Sequence, residues 1–143
     1  MDLSQAYVVW RLLAAAALGA IVGLERETRK KPAGLRTNML VAVGAAAFTV
    51  VTVGVAQDSG TSDPTRIVQG VATGIGFLGA GSIMRWRSQV TGLTTAAGIW
   101  VVGAVGVACG LGEYTIAVAA SLIAALILAV VDKLEPKITG DSE

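Results

Sequence analysis

The residues best suited to chemistry lie in one short segment, GLERE, which ends at Glu27. Glu25 and Glu27 follow an apolar stretch, so they fall at the carboxyl end of a predicted helix, where the helix dipole is negative. Arg36 stands at the start of the next apolar stretch, where the dipole is positive. Each charge is unfavourable at its own helix end, and a proline and a glycine between them allow the chain to turn. We therefore expect the charges to meet.

Three interpretations of this cluster are open. Glu25, Glu27 and Arg36, with Arg26 beside them, form a structural ion cluster, or the two carboxylates bind a cation or a partner, or the segment is a solvated loop. Carboxylate oxygens suit Mg²⁺, which takes one or two acidic ligands and keeps several waters. We expect no cofactor, with Mg²⁺ at Glu25 and Glu27 as the alternative. Nearby polar residues complete the candidate polar cluster, namely Asn38 at the start of the second helix and Thr94 and Thr95 at the start of the fourth, all expected as helix caps.

Composition excludes several classes of site. The chain has no histidine and one cysteine, which rules out a His-based triad, an internal disulfide and the usual zinc site. Its net charge of +1 gives no reason to expect nucleic acid as a partner. A G-x-G-x-x-G match from Gly74 to Gly79 lies inside an apolar stretch with no strand before it, so a nucleotide site is rejected. No catalytic pair is visible, and we expect no enzyme.

The elements that must position these residues are membrane helices. Apolar residues make up 54% of the 143 residues and charged residues 15%, and five long stretches carry no charge. A bilayer core about 30 Å thick needs about 20 apolar helical residues. The sequence predicts an all-α polytopic bundle, a single transmembrane domain over 1–143, with about five transmembrane helices near 6–24, 37–56, 67–84, 93–111 and 114–131. Its environment is then the lipid bilayer.

Lysine and arginine predict the orientation of this bundle. Nine of the eleven fall on one side of a five-helix topology. By the positive-inside rule this side is cytoplasmic, which places the N-terminus outside and the C-terminus in the cytoplasm. Arg66 and Arg11 are on the other side. Arg11, about one turn inside the first helix, is expected to anchor that helix at the outer surface or to pair with Asp58, Asp63 or Glu113.

Small residues recur at helical spacing, which lets membrane helices approach closely. The candidate packing positions are Gly19 and Gly23 on the first helix and Gly70, Gly74, Gly76, Gly79 and Gly81 on the third. Plain packing is one explanation, and a glycine-lined cavity or moving joint in the third helix is the other. We also expect a homo-oligomer, with a dimer favoured, through at least one of these stripes.

Four ordered blocks resemble the MgtC/SapB family of bacterial membrane proteins. They are the segment from Arg11 to GLERE, then PAGLRTNMLVAVGAA, GIGFLGAGSIM and GLTTAAGIWVVGAVG. The resemblance implies a multi-pass protein of the bacterial inner membrane, tied to growth in low magnesium and to virulence. It implies a non-enzymatic regulator of membrane partners, such as the F-type ATP synthase, rather than a proven magnesium transporter. The alternative is a transporter or channel for magnesium or another divalent cation.

The family's recurrent positions correspond here to Glu25, Arg26, Glu27, Arg36, Asn38, Gly76, Gly79, Gly81, Thr94 and Thr95. Position 38 is often histidine in the family, so Asn38 weakens any proton-linked role. Larger members carry a cytoplasmic domain after the last helix, and from the short tail after Val131 we expect no such domain here.

Overall fold

The computed structural model describes residues 5–59 and 63–138. These residues form five helices and one short hairpin. The elements are α1 (Gln5–Thr28), α2 (Leu35–Ser59), α3 (Pro64–Gly81), β1 (Met84–Trp86), β2 (Gln89–Thr91), α4 (Leu93–Leu111) and α5 (Tyr114–Ile138). The all-α helical bundle predicted from the sequence is confirmed.

Local chemistry explains where α3 and α4 begin and end. Asp63 caps α3 by accepting from the Thr65 amide, and Pro64 follows at a position where a missing N–H costs nothing. Glycines in the left-handed region, Gly92 and Gly112, flank α4 on either side. The amide of Gly112 donates to the last free carbonyls of α4, which closes that end.

The helices alternate in direction. Gly23 of α1 lies against Leu35 and Gly19 lies against Ala42, so α1 and α2 are antiparallel. The Ser121 hydroxyl of α5 donates to the Leu18 carbonyl of α1, and Arg29, just after α1, donates to the Ala129 carbonyl of α5. Residue numbers therefore rise together along the two helices, so α1 and α5 are parallel.

Contacts of α4 complete the arrangement. Gly79 lies against Ala96 and Gly103 against Ile75, so α3 runs opposite to α4. The loop after α1 and the β1–β2 hairpin therefore share one end of the bundle, which we call the basic end. The α4–α5 turn and the start of α3 share the other, which we call the distal end.

The centre of the bundle is α4. Half of its most apolar window is buried, against 28% for α1 and for α2, and it packs on the other four helices. Small side chains dominate this core, among them Ala15, Ala42, Cys109 and Ala117. Backbones approach closely as a result, which is how helices pack where lipid gives no hydrophobic drive.

Three of the described helices are long and apolar enough to cross a membrane, namely Gln5–Thr28, Leu35–Ala56 and Leu93–Leu111. The apolar part of α5, Tyr114–Val130, is shorter. Helix α3 packs along α4 in the opposite direction and so lies at the same depth as α4.

Several boundaries differ from those predicted. Helix α1 extends one turn past its expected end, α5 continues to Ile138, and α3 begins at Pro64 and ends at Gly81. The hairpin at 84–91 was not predicted at all. Helix α3 is continuous from Pro64 to Gly81, although its five glycines allowed for a break.

Candidate functional site

Glu25 is the acidic centre of the basic end. Its Oε1 lies 2.7 Å from Arg29 Nε, and its Oε2 lies 3.9 Å from Arg26 Nη1. The side chains of Glu25 and Arg26 are only 10% and 6% exposed. Arg29 also donates through Nη2 to the Ala129 carbonyl at 2.9 Å, which ties the network to α5.

The expected pairing with Arg36 is wrong. Among residues 5–59 and 63–138, no ion pair joins Arg36 to Glu25 or Glu27, and Arg36 is exposed. The reason is the extra turn of α1, because a helix that continues to Thr28 brings Arg29 one turn after Glu25 on the same face. Sequence reasoning missed Arg29, although its four-residue spacing from Glu25 was a usable indication.

Glu27 meets the start of α2 through a different contact. Its Oε2 accepts from the Leu35 amide at 3.0 Å, so the carboxylate caps the positive end of α2. A side chain at Gly34 would collide with this carboxylate, which explains the glycine there. The unfavourable placement expected for Glu27 at the end of α1 thus becomes favourable at α2.

Asn38 lies one turn inside α2 and is 2% exposed. Its Nδ2 donates to the Gly34 carbonyl at 2.9 Å and to the Ala33 carbonyl, so it holds the loop against the helix. A cap would accept from the first amides instead, so the expected cap role is wrong.

The threonines at the start of α4 do not cap it either. Gly92 occupies the cap position, with φ +88° and no side-chain hydrogen bond to the helix. Thr94 and Thr95 lie inside the first turn, where Thr94 is exposed and Thr95 is buried. The left-handed φ of Gly92, which favours glycine, sets the helix start.

The two candidate metal ligands, Glu25 and Glu27, have separate partners. Within the described part of the chain no group of three or more His, Cys, Asp or Glu residues could hold a metal ion. Glu25 faces Arg29 and Glu27 faces the α2 backbone. Apart from the ion pairs with Arg29 and Arg26, the buried oxygens of Glu25 accept no hydrogen bond from the described residues.

Arg11, at the distal end, is 5% exposed and is not a surface anchor. Its Nη1 donates to the Gly110 carbonyl at 2.7 Å, at the negative end of the α4 dipole. Its guanidinium also lies 5.6 Å from the centre of the Tyr7 ring. Arg11 therefore joins α1 to the carboxyl end of α4.

The predicted packing glycines fall into three groups. A Cβ at Gly19 would lie 2.8 Å from the Asn38 carbonyl oxygen, and one at Gly23 would lie 2.7 Å from Leu35 Cα, so both serve the α1–α2 contact. In contrast, a Cβ at Gly79 would make ordinary van der Waals contacts with Ala96. At the remaining four glycines a Cβ would meet nothing within 4 Å, namely at Gly70, Gly74, Gly76 and Gly81.

The chain is similar in sequence to known proteins over most of its length. The MgtC family matches residues 12–137. Protein MgtC of Salmonella typhimurium strain LT2 is 50% identical over 115 residues, which cover 80% of this chain and 48% of that protein. Protein MgtC of Brucella abortus is 50% identical over 113 residues, covering 73% of this chain and 46% of that protein.

A further relative is the "Putative magnesium transporter YhiD" of Escherichia coli K12. It is 43% identical over 133 residues, covering 90% of this chain and 61% of that protein. The chain spans about half the length of the MgtC relatives it matches. No solved structure matches it. With the match covering nearly all of the bundle, from α1 into α5, this chain is a membrane protein that belongs to the MgtC family.

Proposed function

We propose that this protein is a non-enzymatic, multi-pass protein of the bacterial inner membrane that serves magnesium homeostasis by regulating membrane partners. The observation that carries the proposal is the basic end. Its buried charges, Glu25 and Arg26, are held in a network within the chain, whereas Arg36, Arg85 and Arg87 are exposed at the same end of the bundle. An exposed basic surface on a rigid base suits contact with an acidic partner.

The link to magnesium rests on the family. A relative that is 43% identical is named for magnesium transport. Growth in low magnesium, virulence and the F-type ATP synthase as a partner come from the resemblance and belong to this proposal.

Transport of magnesium or another divalent cation is the second candidate, favoured by the name of the YhiD relative. An ion path needs acidic or carbonyl ligands near mid-membrane. An unwound, glycine-rich α3 could have supplied such carbonyls. Helix α3 is continuous, however, so its carbonyls accept hydrogen bonds within the helix. This supports regulation over transport, and Mg²⁺ bound at Glu25 and Glu27 remains part of the transport alternative.

Two measurements distinguish the candidates. Purified protein in vesicles that contain a magnesium-sensitive dye should show no more Mg²⁺ entry than protein-free vesicles. Inverted membranes that contain the protein should show altered ATP-driven proton pumping. A variant with Arg85→Gln and Arg87→Gln should lose this effect and keep the fold, because both side chains are exposed. Mg²⁺ entry that depends on the protein would establish transport instead.

A homo-oligomer, with a dimer favoured, is also part of the proposal. The α1 stripe is used within the chain, so α3 offers the better surface. Gln69, Thr73, Gly76 and Ala80 form a polar and small stripe on α3, and all four are exposed. Polar and small residues are what membrane helices use to associate. Cross-linking between cysteines at Gly76 in native membranes should capture a dimer, whereas a cysteine at Leu126, exposed on α5, should not.

A further inference from the structure

A long groove runs between α2 and α3 and is open to the side of the bundle. Its volume is about 600 Å³. Its lining includes Leu40, Phe48 and Leu78 on the walls, with glycines between them. Arg66 is the one charged residue among those that line it.

Three of the lining residues are glycines that the chain does not need for its own packing. A Cβ at Gly44, Gly70 or Gly74 would meet nothing within 4 Å. Glycine inside a helix costs about 0.5–1 kcal/mol relative to alanine. By contrast, Gly106 of α4 lies against the Ala42 backbone and has a packing reason. The three groove glycines instead keep space open for something outside the chain.

The length of the groove fits one lipid tail. Its lining runs along α2 from Leu40 to Thr52, which at 1.5 Å per residue is about 18 Å. One leaflet of a bilayer core is about 15 Å thick.

Charge identifies the headgroup. Arg66 and Thr52 lie together at the distal end of the groove, because α2 and α3 are antiparallel. Arg66 is in the first turn of α3, where the dipole also favours an anion. Asp63 is close, but its carboxylate accepts from the hydroxyl and the amide of Thr65. Among the residues whose side chains the structure describes, none forms an ion pair with Arg66.

We propose that this groove binds an anionic phospholipid, with one acyl tail along Gly44, Gly70 and Gly74 and the phosphate at Arg66. The bound lipid fills the space between α2 and α3, which have few direct contacts, and so fixes α3 in the bundle. The inference is independent of the proposed function, since a regulator and a transporter would both carry such a lipid.

The test uses the purified full chain in detergent, with thermal unfolding followed as lipid is added. Phosphatidylglycerol should raise the Tm, because a ligand that binds the folded state stabilises it. Phosphatidylcholine with the same tails should act more weakly. Arg66→Gln should lower the affinity for phosphatidylglycerol about fivefold, the effect of one arginine near a membrane surface, and should remove the preference between the two lipids.

Leucine at Gly70 or Gly74 should occupy the groove and abolish the response to both lipids. Matched controls are Gly54→Leu on α2 and Gly81→Leu on α3, because these glycines are equally open and do not line the groove. Gly74→Ala gives a milder version if leucine prevents folding. Unchanged lipid responses in the folded groove variants would overturn the proposal. So would a groove variant that loses a cross-linked dimer and keeps its lipid response, which would assign the groove to a second copy.

Discussion

At the scale of single residues, the two ends of α1 each carry a buried arginine. Arg11 and Arg26 lie on the same buried stripe as Ala15 and Gly19. Arg11 neutralises the carbonyl end of α4, and Arg26 lies beside Glu25. Arg11 joins α1 to α4, whereas Arg26 contacts the neighbouring carboxylate on α1 itself. Both residues are buried, so neither is open to a soluble partner. The exposed arginines of the hairpin and of α2 are the ones available for binding.

The first prediction concerns the Glu25–Arg29 pair. Removing one partner of a buried ion pair costs about 3–5 kcal/mol, and partial exposure of Arg29 reduces this to about 1–3 kcal/mol. Glu25→Gln and Arg29→Gln should therefore each lower the Tm, and the double variant should lose less than the sum. A double-mutant cycle from denaturant unfolding in detergent measures this coupling.

Arg36→Gln is the control for that cycle. Its side chain is exposed and has no described partner among the acidic residues of the cluster, so its effect should add to that of Glu25→Gln. Coupling of Glu25 to Arg36 instead of Arg29 would contradict the network. A Tm increase with Mg²⁺ that Glu25→Gln abolishes and Arg36→Gln keeps would assign the site to a cation.

A second prediction follows from the cap of α3. Hydrogen bonds from the Thr65 hydroxyl and amide lower the pKa of Asp63 below its ordinary value of 3.8. Because the folded state favours the charged form, the stability from this cap is full above the unfolded pKa and is lost as pH falls through the lowered folded pKa.

Tm measured from pH 7 down to pH 2 tests the cap. Asp63→Ala should unfold at a lower temperature than the wild type at pH 7, and the gap should narrow below about pH 4. Asp63→Asn should stay close to the wild type at pH 7, since asparagine also caps well, and should lack the acid-dependent change. A gap that stays constant with pH would show that the carboxylate charge is not involved.

At the scale of elements, glycine position decides how closely α1 and α2 pack. A Cβ at Gly19 would lie 2.8 Å and 2.9 Å from the Asn38 carbonyl oxygen and Ala42 Cβ, both on the α2 backbone or next to it. The third prediction is that Gly19→Ala destabilises the protein by about 1–3 kcal/mol through overpacking.

Gly98→Ala, in open space on α4, is the matched control and should be neutral or stabilise by about 0.5–1 kcal/mol. Denaturant unfolding measures both. Equal effects of the two substitutions would mean that α1 and α2 are not in close contact at Gly19.

The elements also show what sequence alone could and could not predict. Helix α4 was predictable to the residue, because glycines flank it and its interior carries no charge. The end of α1 was not, because Glu25 looked like the start of a loop, whereas its pairing with Arg29 keeps the helix going.

The hairpin and the partners of the polar cluster could not be predicted from the sequence, for a physical reason. Each strand has three exposed residues, so no burial pattern marks it. The contact of Glu27 with Leu35 depends on the path of the loop between them. Sequence spacing identifies neighbours on one helix, such as Glu25 and Arg29, but not those that a loop brings together.

At the scale of the whole molecule, the two ends of the bundle differ in charge. The loop after α1, the two helix ends that flank it and the hairpin together hold seven of the eleven lysines and arginines, and all of these segments are at the basic end. At the distal end the charges nearly cancel, because Arg66 stands beside Asp63 and Glu113. The fold brings the charges together as the positive-inside rule requires, so orientation in the membrane can be tested at one position on each end.

The last prediction is that the basic end faces the cytoplasm. In a Cys109→Ala background, which removes a fully buried thiol, cysteines at Gln89 in the hairpin and at Glu113 before α5 are both exposed reporters. A membrane-impermeant maleimide applied to intact spheroplasts should label Glu113→Cys and leave Gln89→Cys unlabelled until the membrane is opened. Labelling of Gln89→Cys alone would invert the orientation. Labelling of both before the membrane is opened would mean that α4 does not cross it, because these positions lie at opposite ends of that helix.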